Sequence, residues 1–183
     1  MLPIAEVFGA IAVVFNFIGY RQSDINRYRF ISAIALLSVS IHFFLLGAMA
    51  AGVGCMLACI RNIVAIKYRG MPVLITFVTA NLAFFFYELL WLDHGWMIVI
   101  AYASSLIFTV GSISLTSAKM IRQWFILAEV LGLIYAIMVG SIFGTVFNIT
   151  NLLSIFYTLF QDVKAEKKAL VNKELEAQDS DNK

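Results

Sequence analysis

Proline, cysteine and charge are all scarce in this sequence. Of its 183 residues, 2 are Pro, 2 are Cys and 13% are charged, whereas 62% are hydrophobic. Because a soluble domain carries about 25% charged residues, water could not wet this surface, and an ordinary soluble fold is excluded. The chain is therefore predicted to be an all-α integral membrane protein whose main partner is the lipid bilayer.

The same scarcity excludes several kinds of site. Cys55 and Cys59 lie in one apolar run without nearby His or acidic residues, so neither a disulfide scaffold nor a metal site is expected. The net charge of +2 and the lack of a basic, aromatic patch argue against nucleic acid. No span carries His-Glu-x-x-His or Gly-x-Ser-x-Gly. We expect no cofactor, no metal and no enzymatic activity.

What the sequence has in abundance is long apolar runs. A helix needs about 20 residues to cross the hydrocarbon core, and about 17 can suffice. Seven segments meet this length, with short turns between the second and third and between the sixth and seventh. They are 2–20, 30–48, 50–67, 72–92, 96–116, 121–139 and 141–161.

Basic residues predict the orientation of these spans. Lys and Arg accumulate in cytoplasmic loops. They follow the first, third, fifth and seventh spans, at 21–29, 67–69, 119–122 and 164–183, and Arg61 is the single exception. Trp91 and Trp96 flank the loop Asp93–Gly95 on the opposite side, as interfacial aromatic residues do. The amino terminus is predicted to lie outside and the carboxyl terminus in the cytoplasm.

The spans also show an internal repeat. A shift of about 92 residues superimposes the first three spans on the last three, so that Gly19 falls on Gly111 and Gly52 on Gly144. One connecting span lets both triplets enter the membrane from the same side, which makes them parallel repeats. The predicted domains are the first triple-helix repeat, the linker helix, the second triple-helix repeat and a polar cytoplasmic tail that extends the last helix before it frays. Their bounds are 1–69, 70–95, 96–162 and 163–183.

Three stretches carry a resemblance to a known family. The runs His42–Gly47, Ala51–Gly52 leading to Arg61, and Gly140–Thr145 resemble those of the YgjV-type bacterial inner-membrane proteins, and the similarity extends over most of residues 1–163. That family is more distantly similar to the SWEET and PQ-loop transporters, which share a three-one-three layout of helices. The resemblance implies a small-molecule permease fold in the bacterial inner membrane, without a defined substrate.

The sequence departs from those transporters in two respects. It has no Pro-Gln pair, and Pro3 and Pro72 do not supply a proline hinge in each repeat. The transporters also use an asparagine in the third span of each repeat. Asn148 and Asn151 suit the second repeat, whereas the first repeat has Cys55 and Ala58 at these positions.

Polar side chains inside the spans are the candidates for a site, because such groups usually face the bundle interior or a wet cavity. The seventh span shows the clearest pattern: six polar residues share one helix face. Small hydroxyl residues and amides in membranes also join helices to each other, and that interpretation stays open. The six are Ser141, Thr145, Asn148, Asn151, Ser154 and Thr158.

Arg61 and Glu129 are the ionisable residues deepest in the spans. Arg61 shares a face with Ala58 and Ala65, so it is predicted to point inward. It could reach toward the interface, pair with a carboxylate, or hold an anionic group of a solute bidentately. Glu129 lies near the middle of the sixth span and is the best partner, so an Arg61–Glu129 ion pair is a hypothesis. Glu6 and Glu88 are interpreted as interfacial.

Three further residues complete the candidate substrate-binding set. His42, in the outer half of the second span, is either a hydrogen-bonded core residue or a proton carrier, since histidine changes charge near neutral pH. Asn16 and Asn81 are amides at mid-span. The full predicted set is Asn16, His42, Arg61, Asn81, Glu129, Asn148 and Asn151.

Two functions fit these residues. The first is a small-solute transporter that works by alternating access through a central polar cavity, with a polar or anionic solute as partner. The second is a non-transporting receptor, assembly factor or scaffold on the same fold, because fold does not fix function. The sequence is compatible with a homo-oligomer in either case.

Overall fold

The computed structural model of the protein is all-helical, as predicted. It describes residues 2–20, 24–92, 95–115 and 118–181. Seven helices follow one another within these residues. They are α1 (Leu2–Tyr20), α2 (Ile25–Leu45), α3 (Met49–Lys67), α4 (Met71–Trp91), α5 (Met97–Ser114), α6 (Ala118–Met138) and α7 (Ile142–Asp181).

Six of the seven helices, α2 to α7, are long and apolar enough to cross a membrane. The first predicted span corresponds to α1, whose apolar part, Pro3–Gly19, is shorter. The outward faces of the helices are strongly apolar: Ile4, Val7, Ile11 and Val14 of α1 are all exposed. An apolar surface of this extent suits lipid rather than water.

The start of α2 differs from the predicted one for a local reason. α2 begins at Ile25 rather than at residue 30, because the Asp24 side chain accepts a hydrogen bond of 2.8 Å from the Arg27 N–H and caps the helix. α7 continues through the polar tail to Asp181. Residues 21–23, 93–94 and 182–183, which belong to the basic and loop segments discussed above, lie outside the described residues.

The packing of the helices forms a closed cycle. α1 packs on α2, α2 on α3, α5 on α6 and α6 on α7, while α3 meets α5 and α1 meets α7. α4 packs against α3 and α5. Small residues allow this close approach: Ala12, Ala35, Ala128 and Ala136 are fully buried between helices.

The α2–α3 and α6–α7 hairpins are built alike. α2 ends at Leu45, Gly47 follows with φ 76°, and the Ala48 N–H donates to the Phe43 carbonyl at 2.9 Å. α6 ends at Met138, Gly140 follows with φ 70°, and the Ser141 N–H donates to the Ala136 carbonyl at 2.9 Å. Both helix ends have glycine in the left-handed region and the hydrogen bond of a Schellman motif. These glycines and hydrogen bonds correspond at a shift of 93 residues.

We expect Gly9→Ala to weaken the contact between α1 and α7. A Cβ atom at Gly9 would lie 2.5 Å from the Cβ of Phe143, which is fixed to the α7 backbone and cannot rotate away. The helices would have to separate, so unfolding should become easier by about 1–3 kcal/mol. The thermal unfolding midpoint of the purified protein in a fixed detergent measures this. Gly95→Ala is the control, since nothing lies within 4 Å of its added Cβ; equal midpoints for both variants would contradict the expectation.

Candidate functional site

All seven predicted site residues are turned into the bundle. Their relative exposures lie between 0% and 8%, so none of these side chains faces the lipid. The structure does not gather them at one point, however. It distributes them over several polar clusters along the interior.

The central cluster joins three helices through two amides and a carboxylate. Asn16 of α1 donates from Nδ2 to Oδ1 of Asn151 on α7. Asn151 in turn donates from Nδ2 to Oε1 of Glu129 on α6 at 2.7 Å. The second carboxylate oxygen of Glu129, Oε2, is buried and has no hydrogen-bond partner among the described residues. We call Asn16, Asn151 and Glu129 the amide–carboxylate chain.

Arg61 lies on the other side of the bundle, between α3 and α5. Its Nη1 donates to Thr109 Oγ1 of α5 at 3.2 Å, and its Nη2 donates to the neighbouring Asn62 Oδ1 at 3.4 Å. Its Nε–H is buried without a partner in the part of the chain that the structure describes. A guanidinium held by neutral oxygens keeps a charge that no carboxylate there neutralises, which is costly in a low-dielectric interior.

The hypothesised Arg61–Glu129 ion pair is therefore not formed. Each of the two residues takes neutral partners instead, because the packing of α6 turns the Glu129 carboxylate toward Asn151.

A second polar seam runs between α4 and α5. Asn81 accepts a hydrogen bond of 2.5 Å from Ser105, and Glu88 accepts one of 2.7 Å from the Tyr102 hydroxyl. Glu88 is 1% exposed, so its side chain points into the bundle near the end of α4. It lies seven residues after Asn81 on the same face of α4, and that spacing could have predicted the inward orientation.

The polar face of α7 serves mainly its own helix. Thr145, Asn148 and Thr158 donate to carbonyl groups four residues earlier in the same helix. Asn148 also needs the space left by Gly132, since a Cβ there would lie 2.6 Å from Asn148 Oδ1. Of this face, Asn151 and Ser141 make hydrogen bonds to side chains of other helices.

His42 of α2 makes hydrogen bonds to α1 and to the residue that precedes α7. It is fully buried, with Nδ1 2.7 Å from the Ala5 carbonyl of α1 and Nε2 2.7 Å from Ser141 Oγ. A carbonyl can only accept, so Nδ1 donates to it, and in that tautomer Nε2 accepts from the Ser141 hydroxyl. Ser141 Oγ also accepts from the Gly144 N–H at 2.9 Å, which caps α7. This geometry suits a structural role for His42.

We expect Ser141→Ala to destabilise the protein without altering the amide–carboxylate chain. The variant loses the α7 cap and leaves His42 Nε2 without a donor, at a cost of about 1–2 kcal/mol. The free energy of unfolding in bicelles measures the change. Ser141→Thr keeps the hydroxyl and serves as the control. A Ser141→Ala variant as stable as the Ser141→Thr variant would contradict this account of His42.

Two clefts lie away from these clusters. One is bordered by residues of α2 and the end of α3, including Arg27, Phe30 and Ile66. The other is bordered by residues of α6 and Leu115, including Gln123 and Trp124. Neither contains a predicted site residue. Among the described residues, no three His, Cys, Asp or Glu side chains are placed to hold a metal ion.

Comparison with known proteins gives one match that covers most of the chain. A family model described as a bacterial inner membrane protein, Imp-YgjV, matches residues 3–166. No curated protein and no solved structure matches the chain.

Proposed function

The chain belongs to the Imp-YgjV family of bacterial inner membrane proteins, and from that premise we propose that it transports a small polar solute by alternating access. It is a multi-pass protein of the inner membrane. We further propose that α1–α3 and α5–α7 are two parallel repeats joined by α4, with the amino terminus outside and the carboxyl terminus in the cytoplasm. No enzymatic step is part of this proposal.

Matching details in the two triplets support the repeat. Gly47 and Gly140 end the second helix of each triplet in the same conformation. Arg29 of α2 donates to the Ala65 carbonyl of α3 at 3.2 Å, and Arg122 of α6 donates to Asp162 of α7 at 2.7 Å. Under a shift of 93 residues Arg29 falls on Arg122, and the α3–α5 contact falls on the α7–α1 contact. A two-fold axis between the triplets would produce this correspondence.

The observation that carries the proposal is where the polar contacts lie. The triplets meet at two seams, α1 with α7 and α3 with α5. One seam holds the Asn16–Asn151 hydrogen bond, and the other holds the Arg61–Thr109 hydrogen bond. Rocking of one triplet against the other would open these seams and expose their polar groups to a solute.

The second candidate, a non-transporting scaffold or receptor, is favoured by the back-bonding of Asn148 and Thr158 within α7, because these polar groups bond to their own helix. Two clefts of the structure lie beside Arg27 and Trp124, away from the seams.

An uptake screen separates the two candidates. Purified protein in liposomes is incubated with a defined mixture of amino acids, sugars, nucleosides and organic acids, and the contents are analysed by mass spectrometry. A transporter should accumulate at least one solute above protein-free liposomes, and preloading with that solute should accelerate its uptake by exchange. Asn151→Ala should abolish this accumulation. If no solute enters above background, the protein is a scaffold or receptor rather than a transporter.

A further inference from the structure

Arg61 is a buried cation that the described residues leave without a counter-charge. Its side chain is 5% exposed, and the two residues that accept its hydrogen bonds, Thr109 and Asn62, are both neutral. The charge is permanent, because arginine does not lose its proton in proteins. Buried charges in proteins are normally paired, since an isolated one is costly to remove from water. This guanidinium therefore calls for an anion from outside the chain.

The guanidinium of Arg61 also keeps a donor free on the edge that carboxylates use. Nε is buried and has no hydrogen-bond partner among the described residues. The two hydrogen bonds that the Nη atoms make, at 3.2 Å and 3.4 Å, are long for a charged donor. Nε and one Nη together form the fork that binds both oxygens of a carboxylate in parallel. The free donor thus has the geometry for a carboxylate.

Arg61 lies at a seam where the two triplets meet. It belongs to α3, and the Thr109 hydroxyl that it contacts belongs to α5. Two further guanidinium groups lie one turn nearer the end of α3, because Arg29 Nη1 and Arg69 Nε both donate to the Ala65 carbonyl at 3.2 Å. Clustered cations attract anions to their surroundings. An anion drawn to this end of α3 would find Arg61 about 6 Å further along the helix.

Resting on the proposed function, we propose that the transported solute is a small monocarboxylate whose carboxylate binds Arg61 at the α3–α5 seam. One carboxylate supplies two acceptors for the guanidinium fork and one negative charge for its positive charge. The pair is then neutral overall, which lowers the cost of holding the guanidinium in a low-dielectric interior. Rocking of one triplet against the other opens the seam and gives the solute access to Arg61.

Other classes of solute match this site less well. A neutral sugar or amide offers hydrogen bonds but leaves the buried charge of Arg61 uncompensated, and a cation meets a like charge. A dicarboxylate brings more negative charge than one guanidinium neutralises. A phosphate monoester does the same, because it carries a charge of about −1.5 to −2 at neutral pH. A single buried cation therefore favours a solute with a single negative charge.

The test compares solutes of matched shape in the liposome assay at neutral pH. The probes are hydroxy and sugar monocarboxylates, their neutral amides, dicarboxylates of similar size and phosphate monoesters. Protein-free liposomes give the background for each probe. At least one monocarboxylate should be taken up, and its uptake should be at least tenfold faster than that of its amide and of the matching dicarboxylate.

Variants of Arg61 assign this preference to the guanidinium. Arg61→Gln should lower monocarboxylate uptake at least tenfold and reduce the preference for the acid over its amide. Arg61→Lys keeps the charge but loses the fork, so it should retain the preference while its uptake falls. An arginine with a structural role alone would change total uptake without changing the preference. Arg122→Gln, at the Arg122–Asp162 ion pair, is the control and should match the unmodified protein in both respects.

Binding is measured separately from transport, at equal amounts of monodisperse protein. A ligand that binds the folded state raises its thermal unfolding midpoint. The transported monocarboxylate should therefore raise the midpoint of the unmodified protein in detergent, whereas its amide should not. The same addition should leave the midpoint of Arg61→Gln unchanged.

Each contrary outcome contradicts a defined statement. Uptake confined to neutral, zwitterionic, dicarboxylate or phosphate solutes overturns the monocarboxylate inference and leaves transport intact. Monocarboxylate uptake with the same preference over the amide in Arg61→Gln overturns the assignment to Arg61. Uptake of no solute in the whole screen overturns the proposed function, and the monocarboxylate inference with it.

Discussion

Replacing Asn151 with Leu is expected to cause the largest loss of stability of any single substitution in the interior. Asn151 accepts from Asn16 and donates to Glu129, so it ties α1, α7 and α6 together. Leu has a similar volume but no polar group. The variant would lose two hydrogen bonds and leave the buried Glu129 carboxylate with no partner among the residues that the structure describes. We expect the free energy of unfolding to fall by about 2–4 kcal/mol.

A neighbouring residue provides the matched control. Thr150 adjoins Asn151 on α7, but its hydroxyl donates to the Val146 carbonyl of its own helix at 2.8 Å. Thr150→Val removes a polar group of the same helix and should change stability by less than about 1 kcal/mol. Steric trapping in bicelles measures both variants. If the two substitutions cost the same, the amide–carboxylate chain does not join the helices as described.

A double variant tests whether Asn151 and Glu129 interact energetically. In Asn151→Leu the Glu129 carboxylate is the group left without a donor, so adding Glu129→Leu removes the orphan. The double variant should therefore be more stable than Asn151→Leu alone, although it has lost one more polar side chain. Additive losses would mean that the two residues do not interact energetically.

The sequence predicts the fold of this protein better than it predicts the contacts of the candidate site. Helix number and approximate position follow from long apolar runs, because hydropathy is a local property that needs no knowledge of packing. The start of α2 was missed by five residues, since the Asp24 cap determines it and no apolar residue marks it. The positions of the two hairpins could be predicted from Gly47 and Gly140, because the turn conformation there has a positive φ that favours glycine.

The pairing of side chains was much harder to predict. Inward orientation could be read from helix periodicity, and all seven candidate residues are indeed buried. Partners depend on the rotation and height of each helix relative to its neighbours, which close contacts such as that of Gly54 with Ser105 determine. The expected Arg61–Glu129 pair failed for this reason. The inward orientation of Glu88 was not predicted because depth along the helix was considered without the helix face.

Replacing Arg61 with Met should separate function from stability. Arg61 is a buried cation whose described partners, Thr109 and Asn62, are both neutral. Removing such a charge and filling its volume with an apolar side chain is often neutral or stabilising. We therefore expect the free energy of unfolding of Arg61→Met to stay within about 1 kcal/mol of that of the unmodified protein, or to exceed it.

Transport should respond in the opposite way. A solute carboxylate that loses its guanidinium partner loses a charge-assisted hydrogen bond of about 1.5–3 kcal/mol, which corresponds to at least a tenfold drop in uptake. Arg122→Met is the control: its ion pair with Asp162 is a third exposed, so both stability and uptake should change little. A scaffold would show the reverse pattern at Arg61, with stability reduced and no uptake to lose. Because the two functions predict opposite signs for the stability change, this one variant distinguishes a solute site from a structural contact even before a substrate is known.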